Sequence, residues 1–210
     1  MRQNRGGHEV THTTNYWNHN TAYHPELLRA VRNSSCRVLD VGCGDGLLLQ
    51  KFSTLTPHVT GIDSDESALE TARARLGRSS NARIVRGNVL TSPELESGRF
   101  DLVICVATLH HLPLVAGLQR LGELVAPGGE LRVVGLSANK TIADWVVSAA
   151  LLAPIRLASA LHGESDYPGM TTARPHESLT DIRRTAARIL PGSHVRRRLY
   201  YRYTLSWHKP

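Results

Sequence analysis

The chain has 210 residues, of which 41% are hydrophobic and 20% are charged, and its formal net charge is +7 at pH 7. This composition is ordinary for a globular protein, and the length suits one α/β domain rather than two. No apolar run approaches the roughly 20 residues that cross a membrane, and the first residues lack the apolar core of a signal peptide. We therefore expect a cytoplasmic protein whose cysteines, at positions 36, 43 and 105, are reduced and bind no metal.

The excess positive charge lies mainly in arginines near the C-terminus. They are Arg183, Arg184, Arg188, Arg196, Arg197, Arg198 and Arg202. A basic surface is compatible with binding to RNA or to an acidic substrate. The same arginines also fit the solvated sides of a helix and a strand, so nucleic acid is an alternative partner and not the expected one.

The N-terminal region divides into two parts. Residues 1–14 are polar and are expected to form a disordered tail, whereas residues 15–34 form a segment that we call the N-terminal arm. The arm concentrates aromatic and imidazole side chains in a chain that is only 5% aromatic: Tyr16, Trp17, His19, Tyr23 and His24. These side chains either anchor the arm on the domain or close over a ligand. A short helix is predicted at 26–31, after Pro25.

A glycine-rich turn follows the first predicted strand, which spans 37–41. The segment 38–46 reads Val-Leu-Asp-Val-Gly-Cys-Gly-Asp-Gly, and a helix is predicted directly after it, at 47–55. Open α/β sheets bind nucleotide-like ligands at such strand-to-helix turns. The dinucleotide fingerprint G-x-G-x-x-G would require glycine where this chain has Leu47. Asp40, at the strand end, would repel a pyrophosphate but would suit a ligand with a cationic amino group.

Strands and helices continue to alternate along the chain. Further strands are predicted at 58–63, 82–86, 100–106 and 130–136, with helices at 66–76 and 114–125. This order predicts a doubly wound parallel sheet whose ligand crevice lies at the carboxyl ends of the strands. Four polar residues lie at such strand ends and should converge there: Asp40, Asp63, Asn88 and His110.

The pattern changes after the fifth strand. Residues 137–177 contain an apolar stretch interrupted by Pro154 and a loop with Tyr167, and they form either core structure or a helical substrate lid. A helix is then predicted at 178–190, followed by two strands at 194–201 and 202–207 that form a hairpin. We expect residues 15–210 to form a single domain.

Residues 37–136 resemble the class I S-adenosylmethionine-dependent methyltransferases. The likeness is greatest to the small-molecule branch typified by the ubiquinone and menaquinone biosynthesis enzymes (methyltransferase types 11 and 25). It rests on four motifs in the family's order: VLDVGCGDG, GID, FDLVICVATLHHL and LVAPGGELRVV. The resemblance implies a Rossmann-like α/β fold, a seven-stranded sheet of order 3-2-1-4-5-7-6 with helices on both faces. It also implies S-adenosyl-L-methionine as cofactor and a small molecule, methylated at oxygen, nitrogen or carbon, as substrate.

The resemblance further implies which residues contact the cofactor. They are Asp40, Gly42, Cys43, Gly44, Gly46, Asp63, Ser64, Asn88, Val89 and Cys105. Asp40 would contact the amino group, Asp63 both ribose hydroxyls and Asn88 the adenine. Asn88 stands where the family often has aspartate, and Ser64 stands where a larger apolar residue commonly packs on adenine.

Transfer of a methyl group to a hydroxyl or an acidic carbon requires a proton acceptor, and imidazole suits that role. His110 and His111 follow the fourth strand, and successive residues of a helical turn diverge, so one of them should face the crevice. We prefer His110, with a structural role for the pair as the alternative. The candidates for contact with the substrate are Tyr16, Trp17, His19, Tyr23, His24 and Tyr167.

Two motifs of other methyltransferase branches are absent from the sequence. No [DN]PPY-like stretch follows the fourth strand, and no Pro-Cys pair offers a nucleophile for methylation at cytosine C5. Two alternatives remain beside a small-molecule enzyme. One is an RNA methyltransferase that uses the basic C-terminal face, and the other is a non-catalytic protein that binds S-adenosylmethionine.

Overall fold

The computed structural model describes residues 16–77, 81–138, 175–198 and 201–210. Its strands are β1 Val38–Val41, β2 Val59–Asp63, β3 Arg83–Arg86, β4 Phe100–Val106, β5 Val125–Leu136, β6 His194–Arg197 and β7 Arg202–His208. Its helices are α1 His24–Leu28, α2 Leu47–Ser53, α3 Glu66–Leu76, α4 Leu114–Leu124 and α5 Leu179–Ile189, with 3₁₀ helices at Thr21–Tyr23 and Leu109–His111. The strands form one sheet in the order β3-β2-β1-β4-β5-β7-β6, which confirms the predicted topology.

The register of the strands brings their functional ends to one edge of the sheet. The first five strands pair in parallel, and Val41 of β1 lies beside Ile62 of β2 and Cys105 of β4. β7 runs antiparallel between β5 and β6. Its first residue, Arg202, therefore pairs with Leu136, the last residue of β5. The start of β7 thus lies at the same edge as the carboxyl ends of the parallel strands.

Two hydrophobic clusters bury the two faces of the sheet. Successive residues of β4 alternate between them, as the two-residue period of a strand requires: Leu102 and Ile104 belong to one cluster, Val103 and Cys105 to the other. The first cluster includes residues of α1 and α2, and the second includes residues of α4 and α5. Helices therefore cover both faces, as predicted.

Some predicted boundaries were wrong. α1 begins at His24 and ends at Leu28, and Pro25 lies in its first turn, where a missing N–H costs no helical hydrogen bond. β5 begins at Val125 rather than at 130, because the chain re-pairs with β4 through a register shift between Phe100 and Leu102. β6 ends at Arg197, before a turn in which Tyr201 has a φ of +56°. By contrast, α3 has the predicted bounds.

None of the described helices is both long enough and apolar enough to cross a membrane. The predicted tail at 1–14, the segment 139–174 of the predicted lid, and Tyr167 all lie outside the described residues.

Candidate active site

A cavity of about 530 Å³ lies at the carboxyl-end edge of the sheet. It is lined by residues that follow β1, β2, β3 and β4, by the start of β7 and by the N-terminal arm. Most of the predicted site residues line it: Tyr16, His19, His24, Asp40, Gly42, Cys43, Gly44, Asp63, Ser64, Asn88, Val89, His110 and His111. The fold thus brings together side chains that are up to 95 residues apart in the chain, from Tyr16 to His111.

Two residues that we predicted to contact the cofactor do not line the cavity. Gly46 precedes α2 with a φ of +76°, and a Cβ there would come within 2.8 Å of the Cβ of Ala72 in α3. The absence of a side chain at Gly46 therefore allows α2 and α3 to pack closely. Cys105 is fully buried in the core, and its predicted contact with the cofactor, which would be made by the backbone carbonyl, stays a prediction.

Two aromatic residues of the arm also lie outside the cavity lining. Trp17 packs edge-on against His19, with ring centroids 5.3 Å apart. Tyr23 lines a second cavity, of about 370 Å³, together with residues of α1, β5, β6 and β7. Tyr23 and His24 are neighbours in the chain but face different cavities, because successive residues of a helical turn point about 100° apart.

The glycine-rich turn is held against β2 and β4. The N–H of Gly42 donates to the carbonyl of Ile62 (2.8 Å), and the N–H of Gly44 donates to the Asp63 carboxylate (2.9 Å). Gly42 has a φ of +72°, and a Cβ on it would collide with the side chain of Thr108 after β4. Backbone conformation and close packing therefore both require glycine at this position.

Replacing Gly42 with alanine should separate these two requirements. We expect Gly42→Ala to lower the free energy of unfolding by roughly 1–3 kcal/mol, because it adds a steric collision to the strain of a positive φ. Gly128→Ala is the matched control, since Gly128 has a φ of +71° but open space around it. Thermal unfolding of both variants checks this. Equal destabilisation would mean that the contact with Thr108 has no role.

Asp45 organises this end of the cavity, and we did not predict it. Its carboxylate accepts hydrogen bonds from Arg75 Nη2 (2.6 Å) and from the hydroxyl of Tyr16 (3.2 Å), and Arg75 Nε donates to the Asp45 carbonyl (2.9 Å). The ion pair is largely buried. The only signal in the sequence was a carboxylate inside the glycine motif, because Arg75 lies 30 residues away.

Buried carboxylates give the cavity an acidic end. Asp40 is only 2% exposed, and within the described part of the chain no group donates a hydrogen bond to its carboxylate. Burial, followed by the charges of Asp63 and Asp45, raises the pKa of Asp40 to about 7. Asp63 accepts hydrogen bonds from the N–H groups of Gly44 and Asp65 at 2.9 and 3.0 Å. This end therefore suits a ligand with a cationic group and hydroxyls.

His110 and His111 differ in their surroundings. They lie in the 3₁₀ helix after β4 with ring centroids 4.2 Å apart, and His110 is half-buried whereas His111 is exposed. Among the described residues no group bonds to His110 Nδ1, which is enclosed. Burial, with smaller contributions from His111 and Arg202, lowers the pKa of His110 to about 4. His110 is therefore uncharged at neutral pH.

The N-terminal arm forms part of the cavity lining and is held at two points. Asn18 Oδ1 accepts from the N–H groups of Asn20 and Thr21, which shapes the arm into a turn. Arg202 of β7 donates to Asn20 Oδ1 (2.8 Å), and Tyr16 donates to Asp45 at the other side.

Within the described residues, no group of three or more His, Cys, Asp or Glu side chains is arranged to hold a metal ion.

Comparisons with known proteins agree with this geometry. A family profile described as "Methyltransferase domain" matches residues 38–129. An uncharacterised methyltransferase of Mycobacterium tuberculosis is 32% identical over 201 residues, which cover 92% of this chain and 98% of that protein. A ubiquinone biosynthesis O-methyltransferase of Vibrio cholerae is 31% identical over 153 residues, which cover 71% of this chain and 60% of that enzyme.

Among solved structures, the chain is similar to an S-adenosylmethionine-dependent methyltransferase from Mesorhizobium loti. The TM-score is 0.62 at 17% identity, over 90% of this chain and 98% of that one. At this identity the likeness shows the fold alone.

Proposed function

From the premise that this chain belongs to the S-adenosylmethionine-dependent methyltransferase family, we propose that it transfers the methyl group to a small organic molecule held beside His110. The cofactor is S-adenosyl-L-methionine, whose sulfonium group supplies an activated methyl group when it is bound. The chain's own residues bind the cofactor, hold the acceptor near it, exclude water and receive a proton from the nucleophile.

The acidic end of the cavity fits this cofactor. We assign the cationic amino group to the carboxylate of Asp40, which has no donor among the described residues, and the ribose hydroxyls to Asp63, which lines the same cavity. Gly42, Cys43 and Gly44 line the cavity beside these carboxylates, and we assign the methionine part to them. Asn88 Oδ1 already accepts from the N–H of Leu90 (2.9 Å), and its second lone pair is available to the adenine amine.

The position of the N-terminal arm in the cavity lining is the observation that supports a small molecule as methyl acceptor. It lines the cavity and is held by the Tyr16–Asp45 hydrogen bond and by the Asn20–Arg202 hydrogen bonds, so the arm walls one side of the cavity. A polymer strand needs a continuous surface path to its reactive group, whereas a small molecule fits inside a walled cavity.

His110 is the proposed proton acceptor. With a pKa near 4 it is uncharged at neutral pH, although it is a weak base. A weak base suffices when a hydroxyl is methylated, because the oxygen becomes strongly acidic as its bond to the methyl carbon forms. His110 therefore needs to receive the proton only as the transfer proceeds, and most of the rate enhancement comes from positioning.

A labelled methyl donor tests the proposal. Purified protein is incubated with [methyl-³H]S-adenosylmethionine and with cell extract separated into small-molecule, RNA and protein fractions. We expect label to enter the small-molecule fraction. Label in RNA alone, with a steep loss at higher salt, would instead establish an RNA methyltransferase. Cofactor binding without transfer to any fraction would establish a non-catalytic binding protein.

Asp63→Ala should weaken cofactor binding by about 5- to 30-fold, roughly 1–2 kcal/mol, because the ribose hydroxyls lose a charged acceptor. Calorimetric titration with S-adenosylhomocysteine measures the change. Asp65→Ala is the matched control, since Asp65 also lines the cavity but its side chain caps α3 by accepting from the N–H of Ser67. The control should lose about 1 kcal/mol of stability and little affinity. Unchanged binding in Asp63→Ala would refute the ribose role.

A further inference from the structure

We propose that His24, with Lys51 behind it and Arg202 in the lining of the same cavity, forms a binding site for a carboxylate group of the methyl acceptor. The inference rests on the proposed function, because it names the substrate class of the same cavity. It predicts an acidic acceptor.

The lining of the cavity is divided by charge. Its carboxylates all lie at the ends of β1 and β2 or on the turns that follow them: Asp40, Asp45, Asp63 and Asp65. Its imidazole and guanidinium groups lie on the arm and α1, after β4 and at the start of β7: His19, His24, His110, His111 and Arg202. No carboxylate of the described residues lines this second end, which we call the imidazole end.

Strand order assigns the imidazole end to the acceptor. The residues proposed for the cofactor follow β1, β2 and β3, which are adjacent in the sheet. Arg202 begins β7, which is three strands from β1 and thus about 14 Å away at the spacing of neighbouring strands. α1 lies over the same side of the sheet, because Glu26 pairs with Arg198 before β7 at 3.3 Å. A molecule beyond the cofactor therefore meets these side chains.

The surroundings of His24 make it a hydrogen-bond donor to the cavity. It is 5% exposed, and Lys51 Nζ lies 3.3 Å from its Nδ1. An ammonium group has only donors, so Nδ1 accepts this hydrogen bond. Burial and the charge of Lys51 lower the pKa of His24 to about 3, so the ring is neutral and its hydrogen is on Nε2.

The Nε2 atom is free to meet a ligand. It makes no hydrogen bond within the described part of the chain, and it is not among the enclosed polar atoms that lack a partner. Because His24 is buried yet lines the cavity, the space that Nε2 reaches is the cavity. Its N–H therefore points a donor inward, with the ammonium of Lys51 on the other side of the ring. A carboxylate is the ligand group that would be stabilised both by the Nε2–H donor and by the positive charge of Lys51.

Arg202 adds a fixed positive charge to the imidazole end. It is 8% exposed, and its Nε and Nη2 donate to Asn20 Oδ1, which is an uncharged oxygen. Its charge reaches the reacting side chains, since it contributes to the lowered pKa of His110. Guanidinium groups bind carboxylates through paired hydrogen bonds and remain charged at any pH of interest.

Binding of two matched probes tests the site without turnover. Salicylate and salicylamide share one shape but only salicylate is charged, and each is titrated calorimetrically into protein saturated with S-adenosylhomocysteine. We expect salicylate to bind at least about 10-fold more tightly. Lys51→Met should remove most of that preference and leave salicylamide within about twofold. Arg196→Met is the control, because it removes one exposed charge outside this cavity and should preserve the preference.

Two further measurements identify the donor. In ¹⁵N NMR spectra of the imidazole rings, His24 should be in the Nε2–H form, and Lys51→Met should abolish that single form. His24→Gln, which keeps a donor, should retain salicylate binding within about threefold, whereas His24→Leu should lose it. Equal binding of salicylate and salicylamide to the unaltered protein, or an Nδ1–H ring, would overturn the proposal. These binding and NMR results do not depend on catalysis. If the proposed function is wrong, the result is instead that no methyl group is transferred to the small-molecule fraction.

The cofactor also contains a carboxylate, so one comparison distinguishes the two sources. Binding of S-adenosylmethionine and of its decarboxylated analogue is measured with Lys51→Met. If the acceptor's carboxylate occupies the site, Lys51→Met changes both affinities equally. If Lys51→Met weakens the natural cofactor alone, the site holds the cofactor's carboxylate and the assignment to the acceptor is overturned.

Discussion

Asp40→Asn is expected to weaken binding of S-adenosylmethionine by about 100-fold and, at pH 8, to stabilise the protein that has no ligand. The loss of affinity arises because the amide cannot supply the negative charge that we assign to the cofactor's amino group. The gain in stability arises because a buried carboxylate without donors is costly. One substitution should therefore move function and stability in opposite directions.

The pH dependence of the stability follows from the raised pKa of Asp40, which is about 7 in the folded protein against an ordinary value of 3.8. Folding then favours the protonated carboxyl, so this contribution to stability is fully present below pH 3.8 and is lost as the pH rises through 7. The advantage of asparagine should reach about 1–3 kcal/mol at pH 8 and shrink at pH 5, as measured by thermal unfolding.

Cofactor binding should have the opposite dependence. Below pH 7 the cofactor must displace the proton of Asp40, so its affinity should fall by up to about 10-fold per pH unit between 7 and 5. It should be highest near pH 7.5, where Asp40 is charged and the amino group of the cofactor is still largely cationic, and in Asp40→Asn it should be weak at every pH. A pH-independent affinity in the unaltered protein would contradict the pairing of Asp40 with the amino group.

Asp101→Asn is the control for a carboxylate in a neighbouring strand. Asp101 lies on β4 and forms an exposed ion pair with Arg37, whose hydrogen bonds lower the pKa of Asp101. Its replacement should leave cofactor affinity unchanged and lower stability slightly. If both variants bind the cofactor equally well, the affinity does not depend on the position of the negative charge.

His110→Ala should reduce kcat by about 100-fold while leaving cofactor affinity within about twofold. The proposed role of His110 is to take the proton of the nucleophile, and we assign no contact with the cofactor to its side chain. His111→Ala is the matched control, because His111 is exposed and its loss should change kcat by less than about threefold. If His111→Ala has the larger effect, the neighbouring histidine is the base.

The lowered pKa of His110 gives a second measurement for the same residue. Because the pKa lies near 4, protonation of His110 should not reduce kcat/KM for the acceptor between pH 8 and about 5.5 at saturating cofactor. A loss of activity through pH 6.5 that disappears in His110→Ala would contradict this environment.

The amino-acid sequence by itself determined the sheet and the acidic half of the site. β4 is an almost continuous apolar run, α3 has a capping residue before it and a glycine after it, and Asp40 and Asp63 lie at strand ends. These signals are local, because strand period, capping and turn chemistry act within a few residues. Parallel pairing then necessarily brings the strand ends to one edge.

Only the tertiary structure decided the rest of the site, including the Asp45–Arg75 pair at its acidic end. Arg75 reaches Asp45 across 30 residues, Lys51 reaches His24 across 27, and Arg202 joins the cavity because β7 runs against β5. The hydrophobic periodicity of the sequence does not predict such contacts, since they depend on how separate helices and strands pack together. The same packing buries His110 and leaves its neighbour exposed, and it turns Tyr23 away from the cavity that His24 lines.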